Sequence, residues 1–357
     1  ISKKSYIWGG SVVGLKRRGV GSCATLIKHQ TGMFISRARA RGGCLRHGVQ
    51  LCEASMRQYS NGVPQVFDRS AKRQQRDKAA RDPNFQSYER LRNEVAWQMC
   101  DRVQDISRPF DLGLDVGCGR GHLGQQIDDE MIKYLVQTEL ASGPLDRFDE
   151  NCRDLGMRIQ SDEEVLPFRQ NMFDVVLSNL SLHWVNDLPG CLTQINNSLV
   201  PDGVFIGSMF GGETLYELRC SMQLADIERK GGFAPRISPF VEVKDCGSLL
   251  QRTGFTLLTV DVDEFTINYP SPFELLEDLQ GMGESNAAIK RPPFLSKESI
   301  AATAAIYQEM YGNEDGTVPA TFQVIYLLGW KPDKSQVCVC MCVCVCVSLS
   351  LSFFLSI

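Results

Sequence analysis

The chain of 357 residues is 43% hydrophobic and 22% charged, ordinary for a globular protein able to bury a sizeable core. Nine of its 14 cysteines lie outside the C-terminal tail and form no C-x-x-C pair, which excludes a zinc finger or a disulfide framework and points to a reducing compartment. The formal charge of −4 hides an asymmetry: residues 1–60 hold 11 Lys/Arg and one acid (Glu53), whereas the rest holds 27 basic and 41 acidic residues.

Residues 1–60 are rich in Arg, Ser and Gly, the composition of a mitochondrial transit peptide. A basic arm that meets nucleic acid or lipid is the alternative. The first residue is Ile1 rather than Met, so the native start is expected to lie elsewhere. Residues 61–110 read as a helical lead-in. Its first part, FDRSAKRQQRDKAARDPNF, is too charged to be core. The part that follows places Leu91, Val95, Met99, Val103 and Ile106 at helical spacing, and Pro109 ends it.

Strands and helices then alternate over 111–331. LGLDV (112–116), KYLVQT (133–138), FDVVLS (173–178), VFIGSMF (204–210), TLLTVDV (256–262) and TFQVIYLLGW (321–330) read as strands. Residues 121–130 read as a helix. Another opens at Asp187 as cap, with Pro189 in its first turn and Leu192, Ile195 and Leu199 on one face. Apolar strands alternating with helices predict an α/β fold with a doubly wound, mostly parallel sheet. The tail from residue 332 ends in VCVCMCVCVCVSLSLSFFLSI. Its alternation matches translated TG and TC repeats, so it is expected to be a gene-model artefact. A membrane anchor or a metal-binding Cys-x-Cys array is the alternative.

The stretch LDVGCGRGHLG sits where the first strand gives way to a helix, the place where open α/β sheets bind ligands. A nucleoside triphosphate fits poorly, because no Lys-Ser or Lys-Thr follows the glycines. A dinucleotide is compatible with the G-x-G-x-x-G of residues 119–124, a weak pattern by itself. Asp115, two residues before Gly117, would repel a pyrophosphate and attract a ligand with an amino group and a sulfonium. Glu139 closes the next strand, where an acid holds ribose hydroxyls. Asp162 and Glu163 are placed to meet an adenine amino group. These acids with Gly117, Gly119 and Gly121 favour S-adenosyl-L-methionine as cofactor.

LDVGCGRG, Glu139, DEEVLPF, LSLHWVNDLP and LVPDGVFIGSMFGGETLYELR together resemble the class I S-adenosylmethionine-dependent methyltransferase fold, Rossmann-like with helical insertions. FGGETLYELRCSMQLADIER, GGFAPRISPF, NYPSPFELLEDLQGMGESN and YLLGWK resemble, more narrowly, the mitochondrial complex I assembly factors of that fold, which are described as arginine hydroxylases. The likeness spans about residues 64–332 and fails in the tail. It implies an enzyme on the matrix side of the mitochondrial inner membrane, in peripheral contact with it. Its implied partners are an iron–sulfur subunit of respiratory complex I and other assembly factors, with no nucleic acid. The alternatives are a methyltransferase acting on a small molecule or protein, and a non-catalytic assembly chaperone.

A guanidinium substrate stays charged and asks for carboxylates. Glu213 and Glu217 stand four apart, on one face if helical, and are the candidates to receive it, with Tyr216 as a packing wall. Asp278 and Glu284 flank LQGMG and are further acids. His183 is a third catalytic candidate, and Trp184 beside it is expected to pack by the cofactor. Outside the basic head only His122 and His183 remain, with no H-x-D pair, so no metal site is expected.

Overall fold

The sheet is built from strands whose successive residues face two different cores. Val175, Leu177, Val204 and Ile206 enter one cluster of buried side chains, and Val176 and Phe205 enter the other, so both faces are covered and the strands read as continuous apolar runs. A computed structural model describes residues 64–146, 156–232, 234–292 and 294–336; the readings for residues 1–60 and for the repeat from Val337 lie outside the described residues.

Seven strands are involved: β1 (Phe110–Val116), β2 (Ile132–Glu139), β3 (Arg158–Gln160), β4 (Phe173–Asn179), β5 (Leu199–Phe210), β6 (Thr256–Tyr269) and β7 (Val318–Trp330). Their order is β3-β2-β1-β4-β5-β7-β6, parallel from β3 to β5, with β7 antiparallel to both of its neighbours. The predicted doubly wound, mostly parallel sheet is therefore present. The order reverses between β1 and β4, and the loops beyond the carboxyl ends of β1 to β5 open on one crevice there.

The described helices are α1 (Arg69–Ala80), α2 (Phe85–Tyr88), α3 (Arg90–Gln104), α4 (His122–Gln126), α5 (Ser142–Asp146), α6 (Leu188–Ser198), α7 (Tyr216–Lys230), α8 (Val243–Arg252), α9 (Pro272–Gly281) and α10 (Lys297–Tyr311). In α3 the predicted stripe is buried at Leu91, Val95, Met99 and Val103, whereas Ile106 lies past its end. α6 begins as expected: Asp187 accepts the Gly190 N–H at 2.9 Å and Pro189 sits in the first turn. α4 is shorter than the predicted 121–130, because Ile127 is extended and Asp128 accepts the Glu130 and Met131 N–H groups in a turn. β5 starts at Leu199 rather than 204; residues 201–203 form an irregularity within the strand, with Asp202 at φ 60° and the register against β4 shifting between Phe173 and Val175.

The charged start of the lead-in is not a solvated segment. Lys72 and Arg76 on α1 are buried, against the expectation that this stretch is too charged for the interior. Arg69, Lys72, Arg76 and Ala80 fall on one helical face, and that face turns inward because it meets acids at the strand ends.

Glu213 and Glu217 do not share a face either. The helix starts only at Tyr216, after Leu215 in a left-handed conformation, which leaves Glu213 exposed in the preceding turn. Glu217 is buried and accepts from Thr321 on β7, at 2.5 Å from the hydroxyl and 3.3 Å from the N–H, so it ties α7 to the sheet. Glu217→Ala leaves both donors unpaired and should cost about 1–3 kcal/mol in urea denaturation, whereas Glu213→Ala should stay within about 0.5 kcal/mol of wild type.

Candidate functional site at the strand ends

The glycine loop follows β1 with backbone angles that suit glycine alone. Gly117, Gly119 and Gly121 have φ of 72°, 56° and 87°. A Cβ on Gly117 would lie 2.0 Å from the Ser181 hydroxyl, so the loop and the segment after β4 meet in contact there.

Asp115 at the end of β1 is fully buried, and its Oδ1 has no hydrogen-bond partner among the described residues. Gln137 donates to the other oxygen at 3.4 Å. Burial, reinforced by the Glu139 charge and opposed by Gln137, pushes the Asp115 carboxyl up to about 7. Such an orphaned oxygen beside a glycine loop fits a ligand that brings a donor.

Glu139 ends β2, as predicted. One of its oxygens accepts the Gly119 N–H at 3.0 Å, and the other accepts Arg76 at 2.8 Å and the Ala141 N–H at 3.2 Å. Glu163 is buried beside it. It accepts Arg76 at 2.9 Å and the Ser181 hydroxyl at 2.7 Å on one oxygen, and pairs with Arg69 through the other. Burial alone would push the Glu163 carboxyl up; Arg69 and Arg76 outweigh it and hold the group well below the usual carboxylate range. Asp162 pairs with Arg69 at 2.7 Å. The structure thus brings Asp115, the glycines, Glu139 and Glu163 together, and fills the acids with two arginines of α1. The crevice among Arg76, Gly117, Gly119 and Glu139 keeps an open volume of about 30 Å³, room for a water or two.

A second buried cluster lies next to it. Glu284, past the end of α9, accepts the Trp184 Nε1–H at 2.7 Å and pairs with Arg92. Lys72 stands 3.3 Å from the centroid of the Trp184 ring and donates to the carbonyls of Gly283 and Ser285 at 3.0 and 3.1 Å. Burial pulls the Lys72 ammonium well below its ordinary value. His183 is buried among Trp184, Phe210 and Phe240, with Nε2 3.6 Å from Glu284, and its burial lowers its pKa. Trp184 packs on Lys72 and Phe67.

The other candidates lie apart from these clusters. Tyr216 is exposed at the start of α7 with its ring 6.0 Å from Tyr311, and Asp278 accepts the Tyr269 hydroxyl at 2.5 Å. Among the described residues no group of three or more His, Cys, Asp or Glu side chains is disposed to hold a metal ion.

Sequence reasoning missed Arg69, Lys72 and Arg76. Their spacing with Ala80 was the available signal, but helical spacing of cations ordinarily marks a solvated face.

The raised Asp115 carboxyl has a consequence for pH. The folded chain holds a proton there that the unfolded chain, at an ordinary 3.8, releases. That stabilisation is complete below about pH 4 and is lost as pH rises through about 7, by up to about 4 kcal/mol. Asp115→Asn, which keeps the shape and cannot ionise, should flatten the fall in stability between about pH 4 and 7; an unchanged slope in chemical denaturation would show that Asp115 is not its source.

The geometry accords with the chain's relatives. A methyltransferase-domain family model matches residues 114–207, from the glycine loop into β5. The chain is 54% identical over 272 residues to the mitochondrial arginine-hydroxylase NDUFAF5 of Danio rerio, which spans 76% of this chain and 84% of that protein. It is 54% identical over 271 residues to the Homo sapiens protein of the same name, spanning 76% and 78%. It is also 31% identical over 273 residues to a malonyl-[acyl-carrier protein] O-methyltransferase of Halorhodospira halophila, spanning 75% and 90%. The chain belongs to the mitochondrial arginine-hydroxylase NDUFAF5 family and has the class I S-adenosylmethionine-dependent methyltransferase fold.

Proposed function

We propose that this protein is a mitochondrial arginine hydroxylase and complex I assembly factor that modifies an arginine of an iron–sulfur subunit of respiratory complex I on the matrix side of the inner membrane. The observation that carries the reading is 54% identity to relatives named arginine hydroxylases, over 84% of the length of one of them. The likeness to an O-methyltransferase and the acids around the glycine loop support a second reading, methyl transfer, on the same site.

The residues present fit S-adenosyl-L-methionine. Asp115 offers a buried oxygen without a partner, the glycines let the backbone approach closely, and Glu139 ends β2 where ribose hydroxyls are held. When bound, this group supplies an activated methyl sulfonium, so that placing the acceptor is most of the work. For Glu139 to hold a ribose through the oxygen that Arg76 now occupies, the guanidinium has to move; the other oxygen carries the Gly119 N–H. Glu217, engaged with Thr321, is withdrawn as a guanidinium receptor, and Glu213 stays exposed.

The test is peptide mass spectrometry of the iron–sulfur subunit from cells with and without this chain. One added oxygen on an arginine, present only with the chain, is the expected result. One added methyl group would establish the second reading, and an unmodified subunit with normal dependence of assembly on the chain would leave a binding role. In calorimetry, Asp115→Ala should weaken S-adenosyl-L-methionine binding by about 1–3 kcal/mol; undiminished affinity would remove Asp115 from the site.

A further inference from the structure

We propose that α1 is a built-in competitor of the adenosyl ligand: the Arg76 guanidinium holds the acids that the nucleoside needs, so docking of α1 and binding of ligand exclude one another. This rests on the cofactor reading above and adds to it a coupling between the ligand and the N-terminal part of the domain.

Three observations carry it. Arg76 satisfies Glu139, Glu163 and Ser181 at once, at 2.8, 2.9 and 3.0 Å, and it is buried in doing so. With Arg76 in place the crevice retains only about 30 Å³, which admits no nucleoside. The buried residues of α1 are Lys72, Arg76 and Ala80, so the helix is held mostly by charge and hardly by apolar area. A grip of that kind can be exchanged. If ligand hydroxyls take the Glu139 oxygen and the guanidinium returns to water, Glu139 exchanges an ion pair for hydrogen bonds while Glu163 keeps Arg69 and Ser181, whereas lifting an apolar helix would leave a bare core.

The helix is tied at both ends, and at its second half Asp77 accepts the Gly143 N–H at 2.7 Å. Before it, Phe67 bridges to Ala288, the Asp68 N–H donates to the Ala287 carbonyl at 2.7 Å, and Asn186 accepts the N–H groups of Val66 and Phe67 at 2.8 Å. After it comes the Arg81-Asp82-Pro83 turn.

The experiment is hydrogen–deuterium exchange of the full chain with and without S-adenosylhomocysteine, paired with calorimetry. At saturating ligand, amides of residues 69–80 should exchange faster while those of β1 and β2 slow. Arg76→Ala should bind S-adenosylhomocysteine at least ~10-fold more tightly than wild type, because the competing occupant is gone. Ligand binding that leaves α1 equally or better protected, or an Arg76→Ala chain that binds no more tightly, overturns the competition and leaves the cofactor reading standing. Absence of binding to both chains overturns the cofactor reading and this inference with it. Should Arg76→Ala fail to fold, exchange in the wild-type chain decides alone.

Discussion

The rest of the structure is arranged around one constraint: several carboxylates at the ends of parallel strands are withdrawn from water, and each needs a cation. Glu139, Glu163 and Glu284 are each at most 5% exposed at the side chain, and Asp162 is little more. Isolated in the interior, such charges would be prohibitively costly, so the chain supplies Arg69 and Arg76 from α1 and Arg92 from α3. The lead-in helices are thereby fixed to the sheet at the carboxyl ends of its parallel strands. The apolar side of α3, through Leu91, Val95 and Met99, sets the position from which Arg92 reaches Glu284.

Much of the sheet was legible in the sequence because β1, β4, β5 and β7 are buried over most of their length and carry apolar runs such as VVL, VFIG and VIYLL. The glycine loop was legible for a different reason: few ligands tolerate an acid two residues before the first glycine. What could not be read was partnership across long separations. Arg76 meets Glu139 63 residues away and Glu163 87 residues away, and Arg92 meets Glu284 192 residues away. Cations at helical spacing look the same whether they face water or buried carboxylates. Glu217 and Glu213 share no face because a left-handed Leu215 delays the start of the helix.

The fold and the proposed chemistry lie on different levels of inference. A glycine loop between acids at the topological switch point belongs to a scaffold that serves many reactions, and a scaffold does not choose its reaction. The His183, Trp184 and Glu284 cluster under Lys72 adjoins Glu139 and Glu163 without belonging to their ion-pair network. Lys72 and Arg76, one turn apart on α1, serve the two clusters respectively, so neither cluster can be rearranged without strain on the helix that closes the other.

Trp184 gives that shared helix an optical signature. Its indole is sealed at 1% exposure, with an ammonium 3.3 Å from the ring centroid and a carboxylate on its N–H, whereas Trp97 is 56% exposed. Indole emission responds to nearby charge and to water, so the colour and quenching of Trp184 depend on where Lys72 stands. The side chain that helps to hold α1 in place thus makes the position of that helix visible in the protein's intrinsic fluorescence, with no label attached.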